Sequence, residues 1–166
     1  MKLLVIVKRV EDPEIKIKIK SDSTGIETDG MKYVVNPFDE IAVEEALRVR
    51  DANDGEVIIA CVGPSDSTHQ IRTALAMGAD TGVHLLVADD AALDSGTVTA
   101  LLADHLRDAA PDVVLSGKQS QDTDAGLVGG MLAEALGRPY VTNAVGLVQE
   151  GDALVVTRQG DRGQEV

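Results

Sequence analysis

The stretch Asp112–Met131, DVVLSGKQSQDTDAGLVGGM, decides how the rest of the chain is read. It opens on a short apolar run, Val113-Val114-Leu115, bounded by turn residues, the pattern of a buried parallel strand. The run stops at Ser116-Gly117, and polar residues follow as far as Asp124. Leu127, Val128, Met131, Leu132, Ala135 and Leu136 then recur at helical spacing, and Gly137 supplies the stop. A strand, a polar loop and a glycine-bearing helix start form a geometry in which backbone N–H groups and the helix dipole can hold an anion. Gly126, Gly129 and Gly130 would let a ligand approach the backbone. Gly117-Lys118 does not make a P-loop, because that motif needs glycine where Asp112 stands and Ser or Thr where Gln119 stands.

Towards the N-terminus, Leu3–Val7 is a continuous apolar run and predicts a central strand. No GxGxxG follows it, which argues against a dinucleotide fingerprint. The alternation Ile15-Lys16-Ile17-Lys18-Ile19, a turn at 21–25 and an extended Met31–Val35 predict a hairpin excursion with its lysines in solvent. Asn36-Pro37-Phe38-Asp39-Glu40 predicts a helix start. Asn36 is the N-cap, Pro37 the first helical residue, and Phe38, Ile41, Ala42 and Ala46 the apolar face. Strands are predicted over 56–62 and 83–87. A helix through Ile71, Leu75 and Met77, capped by Ser65, ends at Gly78, and another runs from Asp94 or Ser95 to about Arg107. A fifth apolar run spans Tyr140–Val148, and a last hairpin turns at 150–152. This alternation is that of an α/β protein with a doubly wound, mostly parallel sheet, in a single nucleotide-binding domain over residues 1–166.

Composition narrows the function. The 166 residues carry 28 acidic against 15 basic side chains, a net charge of −13, which repels nucleic acid and anionic membranes. No apolar run approaches the roughly 18 residues of a membrane span, so the chain is not expected to be membrane-embedded. The single cysteine, Cys61, reads as a core thiol and suits a reducing cytoplasm. Aromatic residues make up 2%, too few to build a stacking platform for bases or flavin rings. His69, His84 and His105 show no metal-ligand spacing, and Asp122 and Asp124 read as solvated loop carboxylates before they read as a Mg²⁺ pair. The residues supply a place to bind something and no visible machinery for chemistry on it; no catalytic residue is assigned.

Several motifs, in order along the whole chain, resemble the β subunit of electron-transfer flavoprotein. They are Val7-Lys8-Arg9-Val10, Thr28-Asp29-Gly30, the run NPFDEIAVEEA from Asn36 to Ala46, IRTALAMGAD from Ile71 to Asp80, and Gly117-Lys118-Gln119-Ser120. The resemblance implies a flavodoxin-like, adenine-nucleotide-hydrolase-like sheet of order 3-2-1-4-5. It implies a heterodimer with an α subunit that carries most of the redox FAD site. It further implies a buried AMP in this subunit, or a second FAD in electron-bifurcating members. Electrons would pass from flavin dehydrogenases to a membrane quinone reductase or another acceptor. Carried over by position, the nucleotide's neighbours are Ile6, then Asn36, Pro37, Phe38 and Asp39, then Val62. They continue with Ser120, Gln121, Asp122, Thr123, Asp124, Ala125, Gly126, Leu127, Val128, Gly129, Gly130 and Met131.

The chain departs from the family in two respects. Family members usually place Thr, Asn or Gln after the last aspartate of the loop, whereas Asp124 is followed here by Ala-Gly-Leu-Val-Gly-Gly. Phosphate contact would then rest on backbone N–H groups and Ser120, with AMP and FAD both open. Family β subunits also continue for about a further third, with a C-terminal arm and a docking loop. Val166 precedes both, so the chain is expected to be truncated or incomplete. Two other readings compete: a free-standing adenine-nucleotide-binding module, and a nucleotide hydrolase. The second needs more basic residues at the phosphate loop than Lys118.

Overall fold

The computed structural model describes residues 1–91 and 93–166. Its elements are β1 (Lys2–Val7), β2 (Arg9–Glu11), β3 (Tyr33–Val35), α1 (Pro37–Asn53), β4 (Glu56–Gly63), α2 (Thr68–Met77), β5 (Thr81–Leu86), α3 (Ser95–Ala109), β6 (Val113–Ser116), α4 (Val128–Leu136), β7 (Ala144–Glu150), β8 (Ala153–Gly160) and β9 (Gly163–Glu165). Four strands form a parallel sheet of order β5-β4-β1-β6, with β1 paired to both β4 and β6. The apolar runs of β1 and β4 are explained by burial on both faces, whereas β5 and β6, at the two sheet edges, are at most half-buried and Leu86 is exposed. Leu3, Val5 and Val7 pack against Ala42, Val43 and Ala46 of α1 and Ile71 and Ala74 of α2. Leu4 and Ile6 point the other way, to Leu102, Ala103 and Leu106 of α3 and Leu132 of α4. The doubly wound α/β fold is thus present.

The parallel sheet carries the first four positions of the expected order, 3-2-1-4. The fifth apolar run leaves it. Tyr140 and Val141 are exposed, and β7 forms a separate antiparallel sheet of order β7-β8-β9 on the α1 side. The reason lies in α1. Glu45 Oε1 accepts the Leu147 N–H at 3.0 Å, and Arg48 Nη2 donates to the Leu147 carbonyl at 2.5 Å. Both backbone groups of the buried Leu147 are satisfied by side chains, which removes the need for a neighbouring parallel strand.

The excursion at 12–32 is a loose arm. Its base is the β2–β3 antiparallel pair, and further out there is one isolated bridge, Ile19 to Ile26. The alternating isoleucines make no strand because no second layer covers them, and Ile17 and Ile19 are exposed. In α1 the buried stripe is Asp39, Ala42, Val43, Ala46, Leu47 and Val49, while Ile41 faces outwards. The expected face through Phe38 and Ile41 is therefore corrected: the helix is rotated so that a carboxylate goes inside. Ser65 lies in a short 3-10 turn, and its carbonyl accepts from Thr68 Oγ1 instead of its side chain capping α2. Asp94 does cap α3, accepting the Thr97 N–H at 2.7 Å.

Cys61 is fully buried, and burial, with the Asp39 and Asp90 charges adding, pushes its thiol up to about 12. Thiolate is the reactive form, so the native protein is expected to ignore an aromatic disulfide reagent at about pH 8 and to release a full equivalent of thiol on unfolding. Rapid labelling of the native chain is the contrary result.

Candidate functional site

The connections reverse direction between β1 and β6. From β1 the chain winds through α1, β4, α2 and β5, then returns through α3 to place β6 on the other side of β1. Such a switch point leaves a crevice at the carboxyl ends of the two strands. Ile6 is registered against Ser116 there. Immediately beyond, one side chain joins both strand ends. Asp39 accepts the Lys8 N–H at 2.8 Å with one carboxylate oxygen and the Gly117 N–H at 3.0 Å with the other. Burial pushes this carboxyl up to about 6, against the two backbone bonds and the Asn36 side chain, which favour its charge.

Asn36 occupies the N-cap position of α1 as predicted, yet its side chain caps nothing in that helix. Its Nδ2 donates to the Gln119 carbonyl at 2.9 Å, and its Oδ1 accepts the Gln121 N–H at 3.2 Å. The helix start and the 117–127 loop are thereby knotted together. The loop closes on itself as well: Ser120 N–H donates to the Ala125 carbonyl, Asp124 N–H to the Ser120 carbonyl, and the Ser120 and Thr123 hydroxyls share a 2.9 Å bond. Gly126 closes the turn with its α-carbon tight against the Lys118 carbonyl, where an added Cβ would stand 2.9 Å from that oxygen. Neither Gly126 nor Gly129 has a positive φ, so their smallness, not their freedom, is what the fold uses. The α4 helix then begins without a side-chain cap and without an acidic residue in its first turn.

Asp122 stands in an exposed loop, but its carboxylate has a fixed partner. Lys8 Nζ lies 2.8 and 2.6 Å from its two oxygens, and its side chain is 17% exposed. Burial alone would raise its pKa, but the Lys8 bonds and charge, with the Ser120 and Thr123 hydroxyls, hold it below the usual carboxylate range. Asp124 is held by Gln119 Nε2 at 3.1 Å. Among the described residues there is no group of three or more His, Cys, Asp or Glu placed to hold a metal.

The candidate residues therefore divide. Asn36, Asp39, Ser120, Gln121, Asp122, Thr123, Asp124, Ala125 and Gly126 are brought together around the knot, and Pro37 opens the helix beside it. The Phe38 ring lies under Lys118, 5.7 Å from Nζ. Ile6, Val62 and Val128 belong to the apolar layer beneath α3 and α4. Leu127, Gly130 and Met131 turn towards an apolar groove between α3 and α4, and Gly129 packs on Tyr140.

Lys8 and Arg9 read in the sequence only as part of a motif, with no place in the site. Arg9 makes a bidentate pair with Asp90 at 2.7 and 2.8 Å, a further bond to Asp66 at 2.7 Å, and stacks 4.2 Å over Tyr33. The signal was a Lys-Arg pair directly after the first central strand of a strongly acidic chain.

Residues 24–166 match the family model described as the electron transfer flavoprotein domain. The chain is similar to the electron transfer flavoprotein subunit beta of Bradyrhizobium diazoefficiens, 42% identical over 164 residues, covering 98% of this chain and 65% of that one. It is 43% identical over 166 residues to the subunit of the same name from Dictyostelium discoideum, covering 99% and 66%. Against that of Homo sapiens it is 45% identical over 168 residues, again covering 99% and 66%. The chain thus spans somewhat under two thirds of the length of these relatives. With the family model matched over most of its length and these identities sustained across nearly all of it, the chain belongs to the electron transfer flavoprotein family.

Proposed function

We propose that this chain is an electron-transfer subunit of β type, a single nucleotide-binding α/β unit with no catalysis of its own. In this reading it pairs with an α subunit that carries the redox FAD. The pair moves electrons in the cytoplasm from flavin dehydrogenases to a quinone reductase or another acceptor. An adenine nucleotide, AMP or a second FAD, sits at the carboxyl ends of β1 and β6. The observation that carries the site is the knot at the switch point, where Asn36 and Asp39 fix the 117–121 backbone against the end of β1.

The residues present fit a nucleotide's phosphate and ribose. The α4 start is uncapped and free of carboxylates, Lys8 offers a cation, and Ser120 and Thr123 offer hydroxyls. They fit an exposed flavin ring poorly, since Tyr33 and Phe38 already lie against Arg9 and Lys118. AMP held here would supply no redox chemistry; electron transfer belongs to the FAD. No described helix is long and apolar enough to cross a membrane, in keeping with a partner that is approached from outside the bilayer.

The test is to purify the chain with its α partner, denature with acid and quantify released nucleotide per chain. About one AMP per chain, beside one FAD per pair, is expected, and two FAD with no AMP would assign the second-flavin form. Release of no adenine nucleotide beyond the partner's FAD overturns the site. Purified alone and desalted, the chain is expected to show no flavin absorbance.

A further inference from the structure

We propose that Lys8 is the residue that makes this site select phosphorylated nucleotides over neutral nucleosides, by cancelling the charge of Asp122. This rests on the nucleotide reading above. The difficulty for any such ligand is electrostatic. A chain of net charge −13 presents Asp122 and Asp124 in the very loop that the ligand must approach, and a phosphate monoester brings nearly two more negative charges near neutral pH.

The structure answers with one cation. The Lys8 backbone is fixed by its N–H bond to Asp39, and its Nζ reaches both Asp122 oxygens at 2.8 and 2.6 Å. Of its basic neighbours, Arg9 is closed in by Asp66, Asp90 and Tyr33, and Lys118 lies over Phe38, 5.7 Å from the ring centre, with no ion pair to the loop among the described residues. The Lys8 side chain remains 42% exposed while it pairs with the carboxylate, so solvent and a ligand can still reach it. With Lys8 in place the carboxylate and ammonium form a nearly neutral pair, and a phosphate meets a dipole whose positive end is accessible. Without it, the phosphate meets a half-buried anion. Lys8 is thus a positioning and specificity residue, with no catalytic part.

The experiment strips the αβ complex of AMP and measures AMP and adenosine binding by calorimetry for wild type, Lys8→Gln, Lys8→Arg, Asp122→Asn and the Lys8→Gln/Asp122→Asn double variant. Lys8→Gln is expected to weaken AMP on the order of thirty-fold while adenosine changes by less than about threefold. Lys8→Arg should restore most of the AMP affinity. The double variant should recover on the order of tenfold over Lys8→Gln, because the uncompensated carboxylate is gone. Asp122→Asn alone, which does not depend on the lysine variants folding, should tighten AMP and leave adenosine unchanged. An AMP-to-adenosine ratio that stays constant across the series overturns the inference, as does a loss of both ligands in Asp122→Asn. Wild-type complex that takes up neither AMP nor FAD overturns the site itself, a separate outcome.

Discussion

Replacing Gly117 with alanine is expected to lower stability by about 3 kcal/mol, roughly a 10 °C fall in melting temperature for a chain of this size. A Cβ at this position would lie on the Asp39 carboxylate oxygen and 2.8 Å from both the carbonyl carbon and the Cβ of Phe38. All three atoms belong to residues in the first turn of α1, and the carboxylate is pinned by its two backbone bonds, so no flexible side-chain end can swing away. Either α1 withdraws or β6 does, and in both cases the Gly117 N–H bond to Asp39 is lost. Denaturant melts of wild type and Gly117→Ala, with Gly137→Ala as a strained but uncrowded comparison, separate crowding from backbone preference: nothing lies within 4 Å of a Cβ at Gly137. A Gly117→Ala protein as stable as wild type would mean that this junction is looser than described.

Asp39→Ala is expected to be as damaging, by about 3–4 kcal/mol, since it orphans the Lys8 and Gly117 N–H groups and leaves a void between two strand ends. Asp39 also carries a pH signature. Burial raises its carboxyl to about 6 in the folded protein, against 3.8 for an ordinary aspartate. Between those values the folded chain holds a proton that the unfolded chain has released. Its contribution to stability is therefore greatest below 3.8 and declines as pH rises through about 6, by about 3 kcal/mol in all. Asp39→Asn removes this titration. The stability of wild type relative to Asp39→Asn should fall between about pH 4 and pH 6 and be flat above. The Gly117 amide shift, read by NMR, should follow the same midpoint. A midpoint near that of a free carboxyl would show that Asp39 is open to water.

The sequence was most legible where one strong local rule acted alone. Continuous apolar runs marked β1, β4 and β6, and Asp94 and Gly137 marked a helix start and a helix end. It misled where a side chain had two possible partners. Asn36 satisfies every rule for an N-cap, and no local rule says that its amide will instead serve a loop 83 residues away. Ile41 looks like core until Asp39 is known to be buried, because the choice between two neighbouring stripes of one helix depends on what the strand ends need. Asp122 reads as a solvated charge, and nothing local pairs it with Lys8, 114 residues away. The Tyr140–Val148 run reads as a fifth parallel strand because apolarity records burial and not the identity of the neighbour.

The bonds from Asn36 and Asp39 to residues 117–121 span 78 to 85 positions of sequence. That distance bears on the order of assembly. Contacts so remote close large loops and need β6 docked beside β1, so they are expected to form late in folding. A ligand seated on this junction would recognise a chain only after the whole sheet is in place. It would then act as a clamp on the finished molecule, adding about 2.7 kcal/mol at a hundredfold excess over its dissociation constant and slowing unfolding more than it speeds folding.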